Sequence, residues 1–301
     1  MKNLIRVAPL TRPAKTRQPD IDIEIGRFRL AFSVRTYVMG ILNVTPDSFS
    51  DGGKFFDKDK AVKHAMDMAR EGADIIDVGG ESARPGSTEI SVEEELDRVM
   101  PVVEAMAGKA GVPVSIDTRK GKVAEAALRA GAKIVNDISG FKYDPYLAAV
   151  TARYDAAVIL MHMRGTPLDM QKAPRYKNVM KEVAGELQRS IKIAVDAGVK
   201  KEKVIIDPGI GFSKTAEHNL VILNRLDEIK ALGYPVCVGT SRKSFIGKVL
   251  GIEGTNNRLA GTLATCVMAI MKGANILRVH DVREVVAVSR MTDSVLRERA
   301  F

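Results

Sequence analysis

Gly40-Ile-Leu-Asn-Val-Thr-Pro-Asp-Ser-Phe-Ser-Asp-Gly-Gly53 passes from a buried apolar run to a polar, turn-forming one within a few residues. It follows the apolar Tyr37-Val38-Met39, so Asn43 stands at the end of a strand and Thr45, Pro46, Asp47 and Ser48 open a loop. An isolated Asn-x-x-Pro-Asp reads most simply as a capped turn. Here, however, the same strand-then-polar form recurs along the chain.

Asp74-Ile-Ile-Asp-Val-Gly-Gly80 runs into Glu81-Ser-Ala-Arg-Pro-Gly86, and Val112-Pro-Val-Ser-Ile116 into Asp117-Thr-Arg119. Ala132-Lys-Ile-Val135 precedes Asn136-Asp137, and Ala156 to Met161 precedes His162-Met-Arg164. Val204-Ile-Ile206 leads to Asp207-Pro-Gly209, Pro235 to Val238 leads to Gly239-Thr-Ser-Arg-Lys243, and Ile276 to His280 leads to Asp281. With the first segment this makes eight short apolar runs, each followed by a stretch with helical character. Continuous apolar strands alternating with helices indicate a parallel sheet covered by helices. No GxGxxG follows any strand, which speaks against an open dinucleotide-binding sheet. The expected fold is α/β, a (β/α)8 TIM barrel, whose C-terminal face collects the polar residues from several strands. Upstream, Ile21 to Ile25 and Phe28 to Phe32 alternate around Gly26-Arg27, which predicts an N-terminal β-hairpin at the barrel bottom.

A chain of 301 residues with 46% hydrophobic content holds one large core and no apolar stretch long enough to span a bilayer. Cys237 and Cys266 lack the paired spacing of a zinc site and read as free thiols in a reducing cytosol. The net charge of +9 divides unevenly: Lys2, Arg6, Arg12, Lys15 and Arg17 precede the first acid, Asp20, and leave +4 for the rest. Residues 1–19 are therefore read as a basic arm and 20–301 as the barrel domain. A basic barrel attracts anionic substrates. Without a basic helix face or an aromatic platform, nucleic acid is not an expected partner. Met1 to Asp20 lacks the apolar core of a signal peptide, and its prolines spoil an amphipathic presequence, so a cytoplasmic location is expected.

The strand-end groups define a chemistry. Asp117, Asn136 and Asp207 offer oxygen acceptors, which suit a flat heterocycle presenting several N–H donors. Lys243 adds a cation. Arg84, Arg278 and His280 are donors of the kind that hold phosphate oxygens. Asn43 is a candidate ligand for Mg2+, which keeps most of its waters and bridges protein to a substrate diphosphate.

Through GILNVTPDSFSDGG, DVGGESARPG, SIDT, NDISG, LMHMRGTP, DPGIGFSK, SRKS and RVHDV, between Val38 and Val288, the chain closely resembles the dihydropteroate synthases of folate biosynthesis. The resemblance implies a transferase that condenses 6-hydroxymethyl-7,8-dihydropterin diphosphate with 4-aminobenzoate by an SN1-like reaction, as a homodimer formed through helices around Leu259 to Met271. It implies that Asp117, Asn136, Asp207 and Lys243 hold the pterin, that Asn43, Arg84, Arg278 and His280 handle diphosphate and Mg2+, and that Ser241 and Phe212 receive the aminobenzoate. Asp117, Lys243 and Arg278 would be catalytic. The segments Thr45 to Phe56 and Glu81 to Ser87 are expected to act as lids. One departure stands out: the family's second loop carries threonine where this chain has Ala83. Corrinoid-linked methyltetrahydrofolate methyltransferases resemble the same barrel but have no need for the SRKS and RVHDV groups around a diphosphate. A non-catalytic pterin-binding protein would keep the ring pocket and lose the anion groups, whereas this chain has both.

Overall fold

The computed structural model describes residues 22–45, 58–172, 174–255 and 257–300. The basic arm expected over residues 1–19, and residues 46–56 of the first expected lid, lie outside the described residues.

Strands β1 (Asp22–Ile25) and β2 (Phe28–Ala31) form the expected antiparallel hairpin. Its turn needs Gly26, whose φ of +60° is left-handed and open to glycine without strain. The barrel strands follow: β3 (Tyr37–Asn43), β4 (Ile75–Gly79), β5 (Val114–Asp117), β6 (Ile134–Asp137), β7 (Ala157–Met161), β8 (Val204–Asp207), β9 (Cys237–Val238) and β10 (Ile276–Val279). They are parallel in the order β8-β7-β6-β5-β4-β3-β10-β9. A parallel bridge between Ile206 and Val236 joins the two outer members, so the sheet closes into a barrel.

The helices on its outside are α1 (Lys58–Arg70), α2 (Val92–Met106), α3 (Gly121–Ala130), α4 (Pro145–Arg153), α5 (Val179–Asp196), α6 (Ala216–Asn224), α7 (Leu226–Lys230), α8 (Ser244–Leu250), α9 (Leu259–Met271) and α10 (Val282–Arg297). Their starts are written locally. Ser91, Asp144, Asn178 and Thr215 each accept a backbone N–H of the first turn, which satisfies donors a helix leaves unpaired. None of the helices among the described residues is long and apolar enough to cross a membrane.

Side-chain alternation within the strands positions the site. Val78, Ile116, Val135, Leu160, Ile206 and Leu277 point outward into the core shared with the helices. Ile75, Ile134, Ile205 and Ile276 point inward and pack on Ile23, Ile25 and Leu30 of the hairpin, which closes the barrel bottom as its sequence suggests. Strand side chains repeat every second residue, so Asp77, Asn136, Asp207 and Arg278 share that inward face one layer nearer the carboxyl ends. The lower layer is apolar and sealed; the upper one is polar and faces the mouth.

Candidate active site

The upper layer is built around Arg278. Its Nε donates to Asp77 Oδ2 at 2.6 Å and its Nη2 to Asp117 Oδ2 at 2.5 Å. Asn136 Nδ2 donates to the same Asp77 oxygen at 2.9 Å. Four strands thus present one network of amide, guanidinium and two carboxylates. Asp77 is fully buried, and its Oδ1 has no hydrogen-bond partner among the described residues. Burial pushes the Asp117 carboxyl up to about 7, against the pull of Arg278 and with the help of Asp77. Burial also opposes the charge on Arg278, but the two carboxylates outweigh it and hold the guanidinium protonated.

Asp207 closes β8. Its Oδ1 accepts the Gly209 N–H at 2.7 Å, and burial raises its pKa despite that bond and nearby Lys243. Lys243 precedes α8, and its ammonium lies 3.9 Å from the centre of the Phe212 ring, a cation–π contact. Burial and Arg278 lower Lys243 to about 8. Ser241 Oγ sits 3.0 Å from His280 Nδ1 and accepts the His280 backbone N–H at 3.2 Å. Burial, then the charges of Arg278 and Arg242, push His280 down to about 3, so its imidazole is neutral at pH 7.

Phe212 is buried with Ile138, Met161, Met163 and Met170 in an apolar cluster at the mouth, and Ala83 packs against it. The second loop therefore replaces a hydroxyl by apolar surface on the wall that Phe212 forms. The same loop is tied down by Gly86 N–H to Pro167 O at 2.9 Å and by Ser87 Oγ to Arg84 O at 2.8 Å. Glu81 at its start is paired with Arg119 and Lys120. Arg84 itself is exposed, and among the described residues its guanidinium has no polar partner. Asn43 ends β3 opposite Gly79, half-buried.

The structure thus brings Asp117, Asn136, Asp207, Lys243, Arg278, Ser241, His280 and Phe212 to one mouth, while Arg84 and Asn43 stand at its edge without a contact to that network. It also adds residues that the sequence reading passed over. Asp77 is one of them, and its signal is inward parity: it lies two residues after Ile75, as Asn136 follows Ile134. Lys214 and His162 form a second buried polar group, with Lys214 Nζ 2.9 Å from His162 Nδ1. Nothing in a lone Ser-Lys pair after DPGIGF separates such a lysine from a solvated one.

A barrel mouth with buried acceptors beside cations belongs to the class of pterin-binding enzymes: the model of the family described as "Pterin binding enzyme" matches residues 39–280. The dihydropteroate synthase of Clostridium beijerinckii is 52% identical over 276 residues, which span 91% of this chain and 100% of that protein. The structure of Yersinia pestis dihydropteroate synthase with a sulfonamide drug complex is similar at a TM-score of 0.87 and 43% identity, covering 92% of this chain and 99% of that one. Dihydropteroate synthase of Xanthomonas albilineans with 4-aminobenzoic acid gives a TM-score of 0.86 at 42% identity, over 92% and 98%. The chain belongs to the dihydropteroate synthase family.

Proposed function

We propose that this chain joins 6-hydroxymethyl-7,8-dihydropterin diphosphate to 4-aminobenzoate, giving 7,8-dihydropteroate and diphosphate. The observation that carries the reading is the convergence of Asp77, Asp117, Asn136 and Asp207 with Arg278 and Lys243 at one mouth, next to the apolar wall of Phe212. The carboxylates and the amide accept from the donors of a pterin ring, and Lys243 faces the same pocket. Phe212, Ser241 and Lys243 receive the flat aromatic amine. Arg84, Arg278 and His280 lie toward the diphosphate.

Cleavage of the pterin methylene C–O bond leaves a cation delocalised into the ring and an anionic leaving group. Asp117 and Asp77 below the ring stabilise the first charge, and the basic residues stabilise the second. The aminobenzoate nitrogen then forms the new C–N bond and loses its proton afterwards, so no nucleophilic side chain is required. Among the described residues there is no group of three or more His, Cys, Asp or Glu able to cage a metal. The Asn43 amide oxygen fits Mg2+ as a single protein ligand to an ion that keeps its waters. When bound, Mg2+ would neutralise charge on the diphosphate.

A homodimer is supported by the exposed apolar Met268 and Met271 on α9 and Met291 and Val295 on α10. A cytoplasmic location agrees with the free, buried Cys237 and Cys266. The test is incubation with the pterin diphosphate, Mg2+ and radiolabelled 4-aminobenzoate. Diphosphate release in step with label incorporation is expected; release without incorporation, or neither, refutes the reading.

A further inference from the structure

Phe212 sits in the loop after β8, and three different side chains take the carbonyls of three consecutive residues around it. Gln171 Nε2 donates to Gly211 O at 2.8 Å, Lys214 Nζ to Phe212 O at 2.9 Å, and Tyr176 Oη to Ser213 O at 3.1 Å. Gln171 and Tyr176 belong to the loop after β7. Lys214 reaches the same loop, with its Nζ 2.9 Å from His162 Nδ1 and 3.4 Å from His162 O.

This loop needs such support. Its backbone turns left-handed at Gly209, Gly211 and Ser213, with φ of +69°, +82° and +48°, so no regular ladder fixes its peptide planes. Ser213 is not a glycine and holds that conformation at some energetic cost, which persists only where surrounding contacts over-determine it. Lys214 is 3% exposed and, among the described residues, has no carboxylate within ion-pair distance. Its three donors are matched instead by two carbonyls and an imidazole nitrogen. Burial and the Lys214 charge lower His162 to about 4, so its imidazole is neutral; Nε2 faces Glu186 Oε2 at 3.2 Å, which leaves Nδ1 to accept from Lys214 Nζ, whose own value burial lowers to about 7. The pterin side of the loop is held separately: Gly209 N–H binds Asp207 Oδ1 at 2.7 Å and His162 N–H binds Asp207 O at 2.9 Å.

We infer that Gln171, Lys214 and Tyr176 are positioning residues for the aromatic amine substrate, fixing the backbone around Phe212 and hence the ring face that Phe212 presents beside Lys243. This rests on the placement of 4-aminobenzoate against Phe212 given above. A small tilt of a stacking wall lowers affinity for the group stacked on it while leaving the other substrate's contacts in place.

The experiment is steady-state kinetics in both substrates for Gln171→Ala, Tyr176→Phe, Lys214→Met and Phe212→Ala, with thermal unfolding as a folding control. Loss of one of these hydrogen bonds is expected to raise the KM for 4-aminobenzoate about two- to tenfold while the KM for the pterin diphosphate stays within about twofold. Gln171 and Tyr176 are half-buried, and their substitutions decide the matter even where Lys214→Met does not fold. If Phe212→Ala raises the aminobenzoate KM but Gln171→Ala and Tyr176→Phe leave it unchanged, or raise both KM values in parallel, the clamp is refuted alone. If Phe212→Ala also leaves it unchanged, the placement of the second substrate falls and the clamp with it.

Discussion

Replacing Arg278 by methionine removes the only cation in direct contact with Asp77 and Asp117 among the described residues. The Arg278 side chain is 19% exposed and Asp77 fully buried, so water cannot take the guanidinium's place without rearrangement. Breaking a buried pair by deleting one partner costs about 3–5 kcal/mol, because it strands the remaining charge. The protein can soften that cost by protonating Asp117, which makes the loss depend on pH. Asp117 has an ordinary value of 3.8 and is raised to about 7 in the folded protein by burial, against Arg278. Between these values the native state holds more protons than the unfolded chain, so this group's contribution to stability falls as pH rises through the window and is level above it. Without Arg278 the native value moves higher still and the window extends upward. The deficit of Arg278→Met in urea unfolding should therefore be larger at pH 8.5 than at pH 5.5, reaching about 3–5 kcal/mol at the higher pH. Affinity for free hydroxymethyl-dihydropterin should fall together with that for its diphosphate, because Asp117 would change charge. A deficit independent of pH, or a loss confined to the diphosphate ligand, refutes this reasoning and leaves Arg278 as a phosphate contact only.

Asp207→Asn should weaken pterin diphosphate binding far more than aminobenzoate binding in calorimetry, since an amide must turn a donor toward a ring donor; unchanged pterin affinity in the folded variant overturns the role of Asp207. Gly209→Ala should abolish pterin binding or folding, because an added Cβ would lie 2.0 Å from the His162 carbonyl oxygen and φ is +69°; a variant as stable as the parent would contradict that packing. His162 and His280, lowered mainly by burial to about 4 and about 3, should show no imidazole titration by NMR between pH 8 and 5. Their depressed values mean that the unfolded chain binds more protons as pH falls below 6.5, so the stability they lend is full above that pH and is lost as pH falls through about 4 for His162 and about 3 for His280.

Much of this was readable from the chain. Short apolar runs, most of them ending at or next to Asp, Asn or His, define parallel strands and the face on which their polar ends collect, because strand periodicity is local and the barrel is the arrangement that buries both faces of every strand. The hairpin was equally legible from Gly26 and the alternation beside it. The motifs named the residues that meet at the mouth one by one, but they could not say which of them touch. That Arg278 is spent on Asp77 and Asp117, that His280 is neutral against Ser241, and that Gln171, Lys214 and Tyr176 converge on three successive carbonyls are all consequences of contacts between residues far apart in the chain. Charge state and hydrogen-bond partnership depend on burial and on neighbours across the barrel, and neither is fixed until the eighth strand meets the first.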